Sequence, residues 1–256
     1  MPGIDRVSDD GRRLERLLTV DGRAHPVGLE LTATGVRLET PTGAADSIVH
    51  RVRAWFDLDS DIEAIGRQLA RDPLLAPVVA ARPGLRATQY PEAFEAAVMS
   101  VLGQQVSVAA ARTFGGRAVA AFGTSGERGL GLFPSPRALL AAPLDELRAA
   151  IGVTSARART VHAVAAAFAE GLVLDPAADL ALQRRLLLAI PGIGPWTADY
   201  LALRLLGDPD AFPAGDLVLR RALGGVTTAV AEAASQRWRP HRAHAAYLLW
   251  ASTGAV

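Results

Sequence analysis

The sequence predicts a mainly helical protein with a small antiparallel β element at its N-terminus. Two patterns carry that expectation. Residues 14–40 alternate apolar and polar side chains between glycine-containing turn signals, and from residue 46 to the end the apolar residues recur at three- and four-residue spacing. The length, 256 residues, adds that the chain makes one large or two small domains and buries roughly 70% of its unfolded surface without cross-links. The expected division is a β element over residues 1–45 and a helical body of two lobes over residues 46–256.

The elements follow in order. Asp21-Gly22 and Thr34-Gly35 punctuate a meander between residues 14 and 40. The stretches I-V-H-R-V-R-A-W-F and D-I-E-A-I-G-R-Q-L then take up the helical period. Pro91 opens a long apolar helix, A-F-E-A-A-V-M-S-V-L, with Glu92 and Glu95 in its first turns to complement the helix dipole. It breaks at Gly103. The segment G-Q-Q-V-S reads as a kink, and Ser107 suits the N-cap of the next helix. Residues 123–136 form a loop, and three helices are expected at Leu144–Ile151, Ala156–Glu170 and Ala178–Ile190. There is no tandem repeat of solenoid period.

Composition excludes several chemistries. The chain has no cysteine, so a thiol nucleophile, a Cys-ligated zinc, a disulfide and an iron-sulfur cluster are ruled out. All 27 basic residues are arginine, which removes any lysine Schiff base. Five scattered histidines show no metal spacing beyond the i,i+3 pair His241 and His244, which alone is weak. Net charge is +1, but residues 181–256 hold 8 arginines against 5 acidic residues, making the C-terminal third the anion-facing part. No apolar run reaches the roughly 18 residues of a membrane span, and the N-terminus lacks the apolar core of a secretory signal. A cytoplasmic, nucleoid-associated protein is expected.

The sharpest local feature is L-L-L-A-I-P-G-I-G-P-W-T-A-D-Y-L-A-L-R-L-L, residues 186–206. One apolar helix ends at Ile190, Pro191-Gly192-Ile193-Gly194 reverses the chain, and Pro195 starts a second helix. Both glycines permit positive φ, and without a Cβ their N–H groups at a helix start lie open to a phosphate oxygen. Such a turn grips a nucleic-acid backbone without reading sequence. An ordinary αα-hairpin with glycine caps gives the same string, and the residues alone leave both readings open.

The pattern Leu187-x-x-Ile190-Pro191-Gly192-Ile193-Gly194-x-x-Thr197-Ala198 resembles the helix-hairpin-helix of base-excision DNA glycosylases. A Gly/Pro-rich loop, Ala211-Phe212-Pro213-Ala214-Gly215-Asp216, follows at that superfamily's spacing. Together with A-F-E-A-A-V-M-S-V-L-G-Q-Q-V-S-V-A-A-A, L-F-P-S-P and Y-L-L-W, it is similar to the 3-methyladenine DNA glycosylase II (AlkA-type) branch over about residues 85–256. The N-terminal part matches that branch in type only and is shorter.

The resemblance implies an active cleft between the two lobes of the helical body, anchored to DNA by the hairpin at residues 187–206. Asp216 would stabilise the oxocarbenium-like sugar and orient the attacking water, while the same residue before an apolar run is also a good helix N-cap. Trp196 and Tyr200, one helical turn apart, would line the base pocket with Trp250, their electron-rich rings suiting a cationic alkylpurine. A core aromatic cluster is the alternative, and Trp238 and Tyr247 are assigned to the core.

Gly192, Gly194 and Thr197 would hold the DNA backbone. Gln105 would plug the gap left by an extruded base, with a helix-capping glutamine as the alternative. The backbone carbonyls of Leu188, Ile190 and Ile193 would hold Na+ or K+, and no organic cofactor is required. Arg237, Arg239 and Arg242 either add phosphate contacts or form a solvated charged turn, and Asp199, Arg157 and Arg159 are structural or surface residues. In bifunctional relatives a lysine precedes the position of Thr197; here Trp196 stands there, so the expected chemistry is hydrolysis without lyase activity.

The resulting expectation is a monomer that removes alkylated purines of the 3-methyladenine and 7-methylguanine type from double-stranded DNA. Its rivals are excision of neutral lesions such as hypoxanthine or etheno bases, and a non-catalytic DNA-binding module.

Overall fold

The computed structural model describes residues 1–33 and 35–254. Four antiparallel strands, β1 (Arg6–Val7), β2 (Arg13–Val20), β3 (Arg23–Thr32) and β4 (Gly35–Glu39), lie in sequence order in one sheet. In the β2–β3 hairpin Val20 faces Arg23 across the two-residue turn Asp21-Gly22, whose φ values of 50° and 73° are those the right-handed strand twist requires. The second expected turn begins at Thr34, which lies outside the described residues. β1 was not expected: its two residues are both exposed and carry no periodicity.

Thirteen α-helices follow among the described residues: α1 (Ala45–Trp55), α2 (Ile62–Leu69), α3 (Ala76–Ala81), α4 (Ala93–Leu102), α5 (Val108–Phe122), α6 (Pro136–Ala141), α7 (Leu144–Ile151), α8 (Ser155–Ala169), α9 (Leu180–Leu188), α10 (Pro195–Arg204), α11 (Leu217–Ala222), α12 (Thr228–Ser235) and α13 (Arg242–Ser252). The fold is mainly α with a small N-terminal antiparallel sheet. None of these helices is long and apolar enough to cross a membrane.

The chain forms two compact units. The first comprises Met1–Arg53, Pro91–Val173 and Ile190–Gly192; the second comprises Ala54–Tyr90, Leu174–Ala189 and Ile193–Val256. The sheet therefore shares a unit with helices on the far side of the boundary expected at residue 45. In the first unit Leu17, Leu18, Val27 and Leu29 of the sheet are buried, as are Ile48 and Val52 of α1. α4 is buried on all sides from Glu95 to Leu102, as its unbroken apolar run dictates. Glu95 is tolerated there because Arg16 of β2, also buried, donates to it at 2.7 Å. Burial still pushes its carboxyl above the ordinary value, against the pull of Arg16.

α4 starts two residues later than Pro91 suggests. Glu92 has extended backbone and its side chain is engaged elsewhere, accepting from the Thr19 N–H at 3.0 Å and from Arg51 at 2.9 Å. Ser107 caps α5, accepting from the Ala110 N–H. Within the expected loop at 123–136, β5 (Thr124–Ser125) and β6 (Gly131–Leu132) pair antiparallel. α8 packs against α4, α6 and α7.

The core of the second unit includes Leu69, Leu75, Phe212, Leu219, Trp238 and Leu249. Trp238, placed in the core from the sequence, is 2% exposed, and its indole N–H donates to Asp72 at 2.7 Å. α9 is shorter than the expected 178–190. Asp179 caps its start by accepting from the Ala181 and Leu182 N–H groups, and Pro191 disfavours helical geometry at the residue before it.

Candidate active site

The site grows from a helix start. Asp216 has extended backbone, φ −66° and ψ 127°, and precedes α11 as its N-cap. Its Oδ1 accepts from the Val218 and Leu219 N–H groups, each at 2.9 Å. The capping alternative seen in the sequence is thus the geometry that fixes the side chain. Two further donors come from far along the chain. Trp250 Nε1 donates to Oδ1 at 3.2 Å, and Trp196 Nε1 donates to Oδ2 at 3.1 Å. The carboxylate takes four N–H bonds, three of them on Oδ1, so Oδ2 keeps acceptor capacity for one more donor.

The aromatic residues predicted from the sequence do come together. Trp196 and Tyr200 are stacked on one face of α10 with centroids 5.4 Å apart and planes at 27°. Tyr200 is tilted against Trp250 at 6.1 Å, and Tyr247 meets Trp250 edge-on at 5.3 Å. Trp250 is 5% exposed, whereas Trp196 and Tyr200 are half-buried. Tyr247, assigned to the core, therefore also backs this wall, and burial raises its phenol above the ordinary value.

Sequence reasoning missed Arg204. It lies two turns beyond Trp196 on α10, and its guanidinium sits 5.1 Å from the Tyr90 ring, 5.5 Å from Tyr247 and 5.9 Å from Tyr200. Nη1 donates to the Tyr247 hydroxyl at 2.6 Å, Nε has no partner, and no carboxylate pairs with it among the described residues. The spacing 196, 200, 204 was the available signal, since it puts all three on one face.

The hairpin residues separate by role. Gly192 has φ +90°, and a Cβ there would come within 2.0 Å of Thr160 Oγ1. Both conformation and contact exclude a side chain. Gly194 does not use the positive φ it permits: its φ is −99°, and it serves as the N-cap of α10 with open space where a Cβ would stand. Its value is an uncovered helix N-terminus, as anion recognition requires. Thr197 is 2% exposed, buried at the start of α10.

Gln105 is exposed at the turn between α4 and α5 with φ +54°. It caps neither helix, because Gly103 and Ser107 do so. The three arginines considered for phosphate contacts are engaged internally: Arg237 with Asp72 at 2.6 Å, Arg239 with Asp210 at 2.8 Å, and Arg242 with Asp210 at 3.0 Å and Glu232 at 2.9 Å. Asp199 pairs with Arg184 at 2.9 Å, and burial raises its carboxyl. No group of His, Asp or Glu among the described residues is placed to hold a metal ion.

A capped aspartate beneath two indoles, together with a glycine turn opening a helix, defines a helix-hairpin-helix protein with a single-carboxylate site. Family comparison agrees. Residues 98–238 match the model of the HhH-GPD superfamily base excision DNA repair protein, and residues 1–92 match that of the AlkA N-terminal domain. The chain belongs to the HhH-GPD superfamily of base excision DNA repair proteins. The second match extends the likeness over the N-terminal region, where the sequence resemblance held in type only.

Among curated relatives, the Mycobacterium tuberculosis protein named "Probable bifunctional transcriptional activator/DNA repair enzyme AlkA" is 44% identical over 209 residues, covering 78% of this chain and 41% of the relative. The chain thus spans about two fifths of that relative's length. The Escherichia coli (strain K12) "DNA-3-methyladenine glycosylase 2" is 34% identical over 202 residues, covering 78% and 69%. The solved 3-methyladenine DNA-glycosylase from Archaeoglobus fulgidus shares the fold, with TM-score 0.85, 22% identity and coverage of 98% and 89%.

Proposed function

We propose that this chain is a monofunctional DNA glycosylase that hydrolyses the N-glycosidic bond of alkylated purines in double-stranded DNA, acting as a monomer. The observation that carries this reading is the Asp216 carboxylate, held by four N–H donors of which two belong to the aromatic cluster itself. Breaking the glycosidic bond places positive charge on the sugar, and a preorganised carboxylate stabilises it without reorganising. The free acceptor capacity of Oδ2 suits the attacking water, whose proton it can take.

Trp196, Tyr200 and Trp250 supply ring faces for the extruded base, and Gly192, Gly194 and Thr197 supply the grip on the backbone. Gln105, at the tip of its turn, takes the space the base leaves. With no lysine anywhere in the chain, strand cleavage through a lysine imine has no nucleophile. The carbonyls of Leu188, Ile190 and Ile193 are neutral oxygen donors, a set that fits Na+ or K+; such an ion would add positive charge beside a bound phosphate.

Arg204 favours a second reading of the substrate. A cation held against Tyr200 with no carboxylate partner weakens the attraction of that ring for a second cation, which turns the pocket toward neutral lesions such as hypoxanthine or etheno bases. The deciding experiment incubates the protein with methylated duplex DNA and with duplexes carrying hypoxanthine, identifies released bases by chromatography, and scores strand breaks before and after alkali. Release of 3-methyladenine and 7-methylguanine with breaks only after alkali is the expected result. Breaks without alkali would overturn the monofunctional assignment, release of hypoxanthine alone would select the neutral reading, and no release with intact DNA binding would select a non-catalytic module.

A further inference from the structure

Gln104 joins two loops of the first unit. Its side-chain Nε2 donates to the Gly192 carbonyl of the hairpin at 3.2 Å, and its own backbone carbonyl accepts from Arg157 Nη2 at 2.5 Å. Arg157 stands in the first turn of α8, where its guanidinium also lies 5.9 Å from the Phe114 ring of α5. Thr160, three residues further on the same face of α8, is the residue against which Gly192 seats. One face of α8 therefore holds both the hairpin turn and the turn that ends in Gln105, with Gln104 strapped between them.

Gln105, the next residue, is exposed in the left-handed region, where a non-glycine backbone persists only if its surroundings over-determine it. Its own side chain makes no hydrogen bond among the described residues; the turn is held by the backbone bonds from the Gln104 N–H to Val101 and from the Val106 N–H to Gly103, and the two bonds to Gln104 tie it to the hairpin and to α8.

We propose that Arg157 is a positioning residue for base extrusion: by holding the Gln104 carbonyl it presents Gln105 for insertion into the duplex, in register with the hairpin that grips the backbone. This rests on the reading of Gln105 as the plug. Arginine suits the role because its charge-assisted donor is strong and its planar head lies against the Phe114 ring. Without it the turn loses its tie to α8, insertion becomes rarer, and chemistry on a base already outside the stack is unchanged.

The test is single-turnover excision of one 7-methylguanine placed either opposite cytosine in a duplex or unpaired in a single-base bulge, where extrusion costs little. Arg157→Ala should slow duplex excision tenfold or more and bulge excision less than threefold, and Arg157→Lys, which keeps a donor, should recover at least a third of the wild-type duplex rate. A 2-aminopurine beside the lesion should show a smaller fluorescence rise with Arg157→Ala. Equal slowing on both substrates, or none on either, overturns the proposal.

Gln105→Ala separates the possible failures. If it leaves the duplex rate unchanged, the plug reading fails; if it slows that rate while Arg157→Ala does not, the plug stands and the role of Arg157 fails. A wild type that releases no 7-methylguanine from either substrate overturns both. Should Arg157→Ala not fold, as judged by thermal melting, Arg157→Met, which keeps the apolar bulk of the side chain but has no donor for the Gln104 carbonyl, must show the same duplex-selective loss, and a substrate-independent loss there overturns the proposal.

Discussion

Replacing Asp216 by asparagine or by alanine separates the structural work of the side chain into parts. Asparagine is as good an N-cap as aspartate, and its single oxygen can keep the position of Oδ1, retaining the bonds from Val218, Leu219 and Trp250. Its amide nitrogen then faces the Trp196 N–H, so one hydrogen bond is lost, costing about 1 kcal/mol. Alanine removes the cap, costing about 1 kcal/mol. It also leaves the N–H of Trp250, only 5% exposed, without a partner, which costs about 1–3 kcal/mol more. Alanine loses the Trp196 bond as well, so at about 2–4 °C per kcal/mol for a chain near this size Tm should fall by about 2–4 °C for asparagine and by about 6–20 °C for alanine. Differential scanning calorimetry on the two variants measures this directly. Equal losses in both would refute the idea that the carboxylate is held chiefly through Oδ1.

Gly192→Ala should destabilise by at least about 2 kcal/mol, since an L-residue at φ +90° is strained and its methyl group would overlap Thr160; urea denaturation measures it. Gly194→Ala, with open space at its Cβ, should stay folded yet lose affinity for abasic duplex DNA, and unchanged affinity would remove the N-terminus of α10 from the interface. Trp196→Phe and Trp250→Phe each delete one charge-assisted donor to Asp216 and should slow single-turnover excision about 10- to 100-fold; rates within threefold of wild type for both would contradict the role given to the indoles. Burial and the neighbouring His244 lower the His241 imidazole below its ordinary 6.5. The unfolded chain then binds this proton more readily than the native one, so stability is complete above pH 6.5 and declines as pH falls through that value. Denaturation at pH 7 and pH 5 should show a smaller difference for His241→Gln than for wild type, and an equal or larger difference would contradict it.

What the sequence reveals here is what local chemistry determines. Asp21-Gly22 has the turn residues a two-residue hairpin needs, Ser107 and Asp216 are side chains that cap the helix following them, and Pro195 occupies the first position of α10. The aromatic face of α10 was legible because residues one turn apart share a face. The indole bonds to Asp216 were not: they join residues 20 and 34 positions apart, and nothing in spacing says which way an indole N–H turns. Arg157, taken for a structural or surface residue, lies 53 positions from the carbonyl it holds. Glu92 looked like a first-turn helix residue, but its bonds to Thr19 and Arg51 of distant elements shift the start of α4. In each case a long-range partner outweighed the local preference.

The proposed chemistry stands or falls on whether Asp216 acts on the bond rather than on the grip. Single-turnover excision of 7-methylguanine from duplex DNA and the Kd for the abasic product, measured for wild type and Asp216→Asn, decide it. Loss of the fixed negative charge should lower the rate at least about 100-fold, as removal of a preorganised electrostatic group does, while Kd stays within threefold. A rate within threefold of wild type, or a loss of rate matched by an equal loss of affinity, would contradict the assignment of Asp216 as the catalytic carboxylate.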